Sequence, residues 1–379
     1  MKKLIRIGAA AALTAAASVA AIGPAGASAR HDRRPPHQGH AVFVQTDESD
    51  GNQIVAYERR DDGSLADPVA YGTGGLGGAL DGAVVDHLAS SGSLTYDAGH
   101  RLLFATNAGS DTVSVFGVRG RRLVLRQVIS SGGTFPVGVT VHGDLAYVLN
   151  ARDGGSLQGF SVLGRALVPI AGSARSLGLD PTATPEFVNT PGQAVFTPDG
   201  GQLVVSTKAN GHHLDVWRVR SDGRLSTTPT VNTEAGAVPF SMTFDAAGHL
   251  VVVEAGTSTV VSFRLRGDGS LSPVSSVATG QKASCWITPI GGLLAVSNTG
   301  SGSLTTVTPG RGGALAVTDL DTTNPGTIDA DASQDGRYLY VQTGGIGTVD
   351  VFRRAGGALV PVGSTTVPGG VGGEGIVAL

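Results

Sequence analysis

The sequence predicts an all-β chain that folds as a seven-bladed β-propeller with four-stranded antiparallel blades. Three observations support this prediction: one unit recurs seven times, turn sequences fall at fixed places within each unit, and an unpaired strand remains at the C-terminus. Repeats of about 45 residues that hold four short strands are typical of propeller blades.

The repeated unit is a short apolar strand, one polar residue, a glycine-rich turn and a second apolar strand. Segments such as LFATNAGSDTVSVF and LAVSNTGSGSLTTV show it clearly. The polar residues that close the first of these two strands are Thr46, Asn107, Asn150, Thr207, Glu254, Asn298 and Thr343. Alternation of apolar and polar residues with period two, as in 112–118, indicates half-buried strands.

Turn sequences complete each unit. Asp-Gly turns such as Asp268-Gly269 lie between apolar runs, where the positive φ of glycine permits a tight hairpin. Each unit therefore contains three hairpin-linked strands and a fourth that leads to the next unit. The first unit begins at its second strand, whereas residues 373–379 (GEGIVAL) follow a complete last unit. We predict that 373–379 provides the innermost strand of the first blade and closes the ring.

Residues 1–29 have the pattern of a secretory signal peptide, with Lys2, Lys3 and Arg6 before an alanine-rich apolar run and cleavage near Ala29. Residues 30–39 are polar and interrupted by proline, which is typical of a flexible tail. Residues 40–379 form the predicted single propeller domain. We therefore expect a secreted protein with no membrane span after processing.

The composition excludes several partner classes. Without the leader, 24 basic residues face 30 acidic ones, and this acidic body lacks the basic run that nucleic acid or an anionic membrane would attract. Cys285 is the only cysteine, so the chain has no internal disulfide. No His-x-His or Glu-x-x-His spacing indicates a metal site, and we expect no cofactor and a monomer.

Two insertions, 72–91 and 177–191, separate the outermost strand of one blade from the innermost strand of the next. In propellers these connections share a face with the turns between second and third strands, here called the loop-rich face. Long loops on one face commonly hold the functional site. The charged residues and histidines predicted on this face are Asp86, His87, Arg152, Glu186, Lys208, His212, His213, Glu234, Glu254 and Lys282.

Glu254 is the candidate catalytic residue, because the same slot elsewhere holds Asn or Thr. A carboxylate there acts as a general base toward water, or it caps backbone N–H groups as Asn and Thr do. The candidate substrate-binding residues are His87, Arg152, Lys208, His212 and Lys282. For His87 and Asp86, a solvated loop pair is the alternative. His212 and His213 point to opposite faces of the sheet, so at most one of them meets a ligand.

The sequence resembles lactonase-type seven-bladed propellers, a family that includes 6-phosphogluconolactonase and carboxy-muconate cyclases. The resemblance is carried by the polar residue that closes the first apolar strand of each unit, which is the second strand of each predicted blade, by the DGSL turns at 62–65 and 268–271, and by the Pro-Asp-Gly turn at 198–200. The resemblance covers 40–379 and implies opening or closing of a lactone ring at the channel mouth. The family's Gly-Pro-Arg-His segment reads Val-Pro-Phe-Ser here (238–241), while Glu254 matches its Asn-Glu-Leu. The family's earlier Pro-His reads Pro-Gly-Gln here (191–193).

Two functions follow from these residues. The first is a secreted lactonase-like hydrolase of a sugar-derived or related lactone, in which Glu254 is the base and Lys208, Arg152 or Lys282 supplies the positive charge of the absent Arg-His pair. The second is a non-catalytic propeller that binds a small carbohydrate-derived ligand, a wall component or a protein on its loop-rich face.

Overall fold

The computed structural model describes residues 40–379, so the predicted leader and tail lie outside the described residues. Seven four-stranded antiparallel sheets surround a central channel, which confirms the predicted architecture. The innermost strands contact one another in sequence around the whole ring. No helix among residues 40–379 is long and apolar enough to cross a bilayer.

The strands of each blade are given from the channel outwards. The first blade contains Ile376–Ala378, Ala41–Gln45, Gln53–Arg59 and Leu65–Gly72. The second contains Leu94–Asp97, Leu102–Asn107, Thr112–Arg119 and Arg122–Ser130. The third contains Pro136–His142, Leu145–Asn150, Ser156–Leu163 and an outermost strand in two pieces, Ala166–Pro169 and Arg175–Ser176.

The remaining blades follow the same order. The fourth contains Gln193–Phe196, Gln202–Ser206, His213–Arg218 and Thr230–Thr233. The fifth contains Pro239–Phe244, Leu250–Glu254, Thr259–Leu265 and Leu271–Ala278. The sixth contains Ser284–Ile290, Leu293–Asn298, Ser303–Pro309 and Leu315–Thr322. The seventh contains Thr327–Ala332, Tyr338–Thr343, Thr348–Ala355 and Ala358–Thr366.

Helical structure within 40–379 is confined to short turns. The segment Glu186–Asn189 is α-helical and lies in the second insertion. Ala108–Ser110 and Arg311–Gly313 are single 3-10 turns.

The last strand closes the ring as predicted. Ile376–Ala378 pairs antiparallel with 42–44, and Val377 lies opposite Phe43. The side chains of the last four residues are at most 5% exposed. Both ends of the propeller domain therefore share one sheet, and the first blade has no unpaired inner edge.

Alternation along the strands places apolar side chains on both faces of each blade. Phe104 packs toward the third blade, whereas its neighbours Leu103 and Ala105 pack toward the first. The core is therefore a series of apolar layers between blades. The predicted Asp-Gly turns are present, and Gly63 and Gly269 both have φ of +88°.

Candidate functional site

The first insertion folds back into the channel mouth on the loop-rich face. Its residues 85–90, here called the plug, meet the starts of innermost strands from several blades. The Ser90 hydroxyl donates to the Val137 backbone oxygen (2.9 Å), and the indole N–H of Trp286 donates to the Ser90 backbone oxygen (2.7 Å). Leu88 is fully buried and Ala89 is 5% exposed. The plug thus fills the mouth of the channel.

Lys208 fastens the plug from the fourth blade. Its ammonium donates to the backbone oxygens of Ala89 and Phe187 (2.6 Å each) and to the Thr190 hydroxyl (2.9 Å), and the side chain is 1% exposed. These three acceptors use all three ammonium hydrogens. The predicted substrate-binding Lys208 is therefore occupied by the chain itself while the plug is seated.

Asp86 provides the charge that balances Lys208. Its carboxylate accepts hydrogen bonds from the backbone N–H groups of Leu88 (2.8 Å) and Ser90 (3.1 Å). Burial raises the pKa of Asp86 and lowers the pKa of Lys208, and in each case the charge of the partner opposes the shift. The sequence placed both residues on this face, but it did not indicate that both are buried and interact electrostatically.

His87 is half-buried in the same segment. Its backbone N–H donates to the Gly372 oxygen (2.8 Å), while its Nδ1 is buried and has no hydrogen-bond partner among residues 40–379. Burial lowers the pKa of the imidazole, which favours the neutral form.

Arg152 and Glu186 join the two insertions. Arg152 donates to both carboxylate oxygens of Glu186, through Nε (2.7 Å) and Nη2 (3.0 Å). Glu186 also accepts the backbone N–H of Asp81 from the first insertion (2.7 Å). The guanidinium holds the pKa of Glu186 below its usual value. A crevice of about 170 Å³ lies beside this pair. The charge of Arg152 is therefore already neutralised by a bidentate ion pair.

Glu254 lies at the end of the second strand of the fifth blade and is 9% exposed. Its Oε2 accepts hydrogen bonds from the hydroxyls of Thr259 (2.9 Å) and Thr257 (3.3 Å). In the equivalent slot, Asn298 donates to Ser303 and Thr305 in the same kind of turn. One oxygen of Glu254 therefore has the turn-holding role of the other blades. Its Oε1 accepts no hydrogen bond from residues 40–379 and is not sealed from solvent.

Two other residues accompany Glu254. The backbone N–H of Glu234 donates to the His212 oxygen (2.8 Å), and Nδ1 of His212 accepts the N–H of Val238 (3.3 Å). Because Val238 precedes Pro239, which pairs with Glu254, these three side chains belong to one region of the rim. Partial burial, with a smaller contribution from the charge of Glu254, raises the pKa of Glu234. A neutral His212 that accepts through Nδ1 carries its hydrogen on Nε2.

Lys282 lies on the adjoining sixth blade and is exposed. Its backbone contacts Gly300 and Ser301, but its ammonium makes no hydrogen bond or ion pair within the described part of the chain. The predicted residues therefore fall into separate groups. Glu254, Glu234 and His212 share the rim, Lys208 and His87 belong to the plug region, and Arg152 holds the insertions.

The family's sequence profile, described as a seven-bladed β-propeller lactonase, matches residues 78–373. This chain belongs to the lactonase family of seven-bladed β-propellers. No curated protein matches the chain significantly.

Solved structures agree on the fold of this lactonase-family chain. A periplasmic gluconolactonase from Pseudomonas aeruginosa is 18% identical, with a TM-score of 0.71, and the match covers 89% of this chain and 98% of that one. A protein from Lactobacillus plantarum is 19% identical, with a TM-score of 0.71 and coverage of 88% and 98%. A Bacteroides fragilis protein, provisionally named a 6-phosphogluconolactonase, is 18% identical, with a TM-score of 0.70 and coverage of 90% and 98%.

At the position where the family resemblance implies arginine, this lactonase-family chain has Phe240. The Phe240 ring packs edge-on against Trp286, with centroids 4.7 Å apart, and the ammonium nitrogen of Lys208 lies 5.3 Å from the Phe240 centroid. A lysine cation thus lies near the aromatic ring at this position. Sequence reasoning missed Asp47, Asp329 and Asp331, whose carboxyl groups accept backbone N–H groups of residues 374–378, and it missed the buried Glu374. The alternating acids of TIDADA on an innermost strand were the available signal.

Proposed function

We propose that this lactonase-family propeller hydrolyses a lactone at the rim, with Glu254 as general base. The observation that carries the proposal is the division of the Glu254 carboxylate: two threonine hydroxyls hold Oε2, while Oε1 remains available. An oriented carboxylate with one available oxygen is suited to take a proton from water. Gluconolactone and its 6-phosphate are the first substrates to test, given the names of the structural neighbours.

The chemistry assigns a role to each rim residue. Glu254 removes a proton from water as the water oxygen bonds to the lactone carbonyl carbon, and Nε2–H of His212 donates to the carbonyl oxygen that gains negative charge. The ring C–O bond then breaks, and its oxygen takes a proton from the Glu234 carboxyl, whose raised pKa favours the acid form. The product is the open hydroxy acid, and exchange with solvent restores both carboxyl groups.

The test is proton release from a panel of sugar-derived and simple lactones, measured against buffer alone with the chain that begins at Arg30. We expect Glu254→Gln to lower kcat at least 100-fold, within the usual contribution of a general base. Glu58→Gln, which changes an exposed carboxylate on an outer strand, is the control and should leave kcat unchanged. Wild-type turnover that survives in Glu254→Gln would contradict the assignment of the base.

A specific observation favours the second candidate, a binding propeller. The plug occupies the channel mouth, and the ammonium of Lys208 and the guanidinium of Arg152 are engaged by the chain's own acceptors. Capture of a lactone or wall-derived sugar without turnover, weakened by Lys282→Met, would support this function over hydrolysis.

We propose further that the chain acts after export, since its leader has the signal-peptide pattern and one structural neighbour is periplasmic. N-terminal sequencing of the exported protein should give a sequence that begins at Arg30. An intact Met1 terminus on the exported protein would contradict the predicted cleavage.

A further inference from the structure

A cavity of about 370 Å³ lies in the channel against the innermost strands of the first, second and seventh blades. Its lining includes Ala98 and Gln334, which belong to turns between first and second strands. Those turns lie on the face opposite the loop-rich face, so the cavity opens away from the plug and the rim. Its volume lies at the lower end of the range for small-molecule sites.

The cavity is lined by two acidic side chains and by no basic one. Asp329 and Asp331 lie two residues apart on the innermost strand of the seventh blade, so their side chains share one face of that sheet, and both line the cavity. Each accepts a backbone N–H of the last strand, Asp329 from Ile376 (3.3 Å) and Asp331 from Ala378 (2.9 Å). No Lys, Arg or His is among the lining residues, all of which lie in the described part of the chain.

Glu374 extends this acidic region toward the plug. Its side chain is fully buried, and neither carboxyl oxygen has a hydrogen-bond partner within residues 40–379. The Ser93 hydroxyl donates instead to the Glu374 backbone oxygen (2.8 Å). Asp329, Asp86 and Asp47 are the acidic groups near enough to add to the raised pKa of Glu374, of which burial is the main cause. Buried carboxyl groups in native proteins are almost always hydrogen-bonded or paired, and Glu374, which lies near Asp329 but outside the cavity lining, is an exception.

We propose that the cavity binds an organic cation through Asp329 and Asp331, with a primary ammonium group as the recognised element. An ammonium has three donors and no acceptor, which complements a cavity with two carboxylates and no base. No group of three His, Cys, Asp or Glu side chains within 40–379 is arranged to hold a metal ion. The acidic groups are spread along a cavity of about 370 Å³ and do not converge on one point, so the cavity suits a small amine better than a metal ion. This inference does not depend on the proposed hydrolysis.

The charges around the site give the proposal a pH signature. The acids along the channel are Asp47, Asp86, Asp329, Asp331 and Glu374, Tyr96 lines the cavity, and Lys208 is the cation beside Asp86. Desolvation raises the pKa of Asp329 and of Asp331, and the charge of Asp331 adds to the shift at Asp329. A bound cation favours the ionised carboxylates. Binding therefore releases protons, and the amine binds more tightly as pH rises through the range in which these groups titrate.

The test is calorimetric titration of the chain from Arg30 with 1,4-diaminobutane and with spermidine at pH 6, 7 and 8. Two buffers of different ionisation enthalpy measure proton release at each pH. We expect binding that tightens with pH, and at least tenfold weaker binding by the double variant Asp329→Asn, Asp331→Asn. Glu254→Gln, on the opposite face, is the matched control and should bind as the wild type does, whether or not it hydrolyses lactones.

Three results would overturn the proposal. They are no binding of either amine at millimolar concentration, equal affinity in wild type and double variant, and Asp-dependent binding of Mg²⁺ or Ca²⁺ in place of amines. Thermal unfolding provides a second measure, because diaminobutane should raise the wild-type midpoint and leave that of the folded double variant unchanged.

Discussion

Replacement of Lys208 tests whether the plug is seated as described. Lys208→Met keeps the length of the apolar stem and removes the ammonium that holds Ala89, Phe187 and Thr190. Three hydrogen bonds at about 1 to 1.5 kcal/mol each predict a loss of roughly 3 to 4.5 kcal/mol. Lys208 also interacts electrostatically with the buried Asp86, so the variant removes the positive charge that favours the ionised form of this carboxyl group. Asp86 limits the cost, since its raised pKa lets it take up a proton.

Urea denaturation at pH 7 measures this loss. Lys282→Met is the matched control, because the exposed Lys282 side chain makes no hydrogen bond within 40–379, and it should change the free energy of unfolding by less than about 0.5 kcal/mol. Asp86→Asn in the Lys208→Met background should cost at least about 1 kcal/mol less than in wild type, since the two residues interact.

Hydrogen exchange locates the effect within the chain. The backbone N–H groups of His87 and Ser91 donate to Gly372 and Gly192, so both are protected while the plug is seated. Lys208→Met should increase their exchange rates more than those of the outer strands. A loss below about 1 kcal/mol, with unchanged exchange at these two positions, would refute the role of Lys208 in seating the plug.

Three further predictions concern closure, packing and pH. Deletion of 376–379 removes the strand that pairs with 42–44, so it should lower the free energy of unfolding by at least about 4 kcal/mol. An unchanged urea midpoint would contradict closure of the ring by this strand. A Cβ at Gly344 would overlap the backbone oxygen of Val85, so Gly344→Ala should lower the free energy of unfolding by about 1 to 3 kcal/mol. Gly363 has open space around it, so Gly363→Ala should leave that free energy unchanged in the same urea assay. Burial raises the pKa of Asp329 and of Asp331, so both groups bind protons more tightly in the folded state than in the unfolded chain. Stability should therefore fall by up to about 1.4 kcal/mol per pH unit for each as pH rises from about 5 toward 7, with a shallower slope in Asp329→Asn. Stability that rises over this range would exclude the raised pKa values.

Much of the fold is predictable because its determinants are local. Strand alternation and turn glycines such as Gly63 act within a few residues of the chain, and seven copies of the same pattern reinforce one another. The pairing of residues 373–379 with the first blade was also predictable. The first unit lacks its innermost strand, and one strand is left without a blade after the last unit. The sequence likewise indicated that Glu254 differs from its six counterparts.

Only the tertiary structure decides which side chains the loop-rich face presents to a ligand. The first insertion is glycine-rich and has no strand or helix period, so its position depends on partners far along the chain: Ser90 meets Trp286 across 196 residues, and Ala89 meets Lys208 across 119. These contacts convert predicted ligand-binding charges into internal ones. The acids of the innermost strand are visible in the sequence, but they become a channel site only when ring closure sets the direction of Asp329 and Asp331 and removes them from bulk water. Local pattern thus determined the ring, and long-range burial decided which charges a ligand can reach.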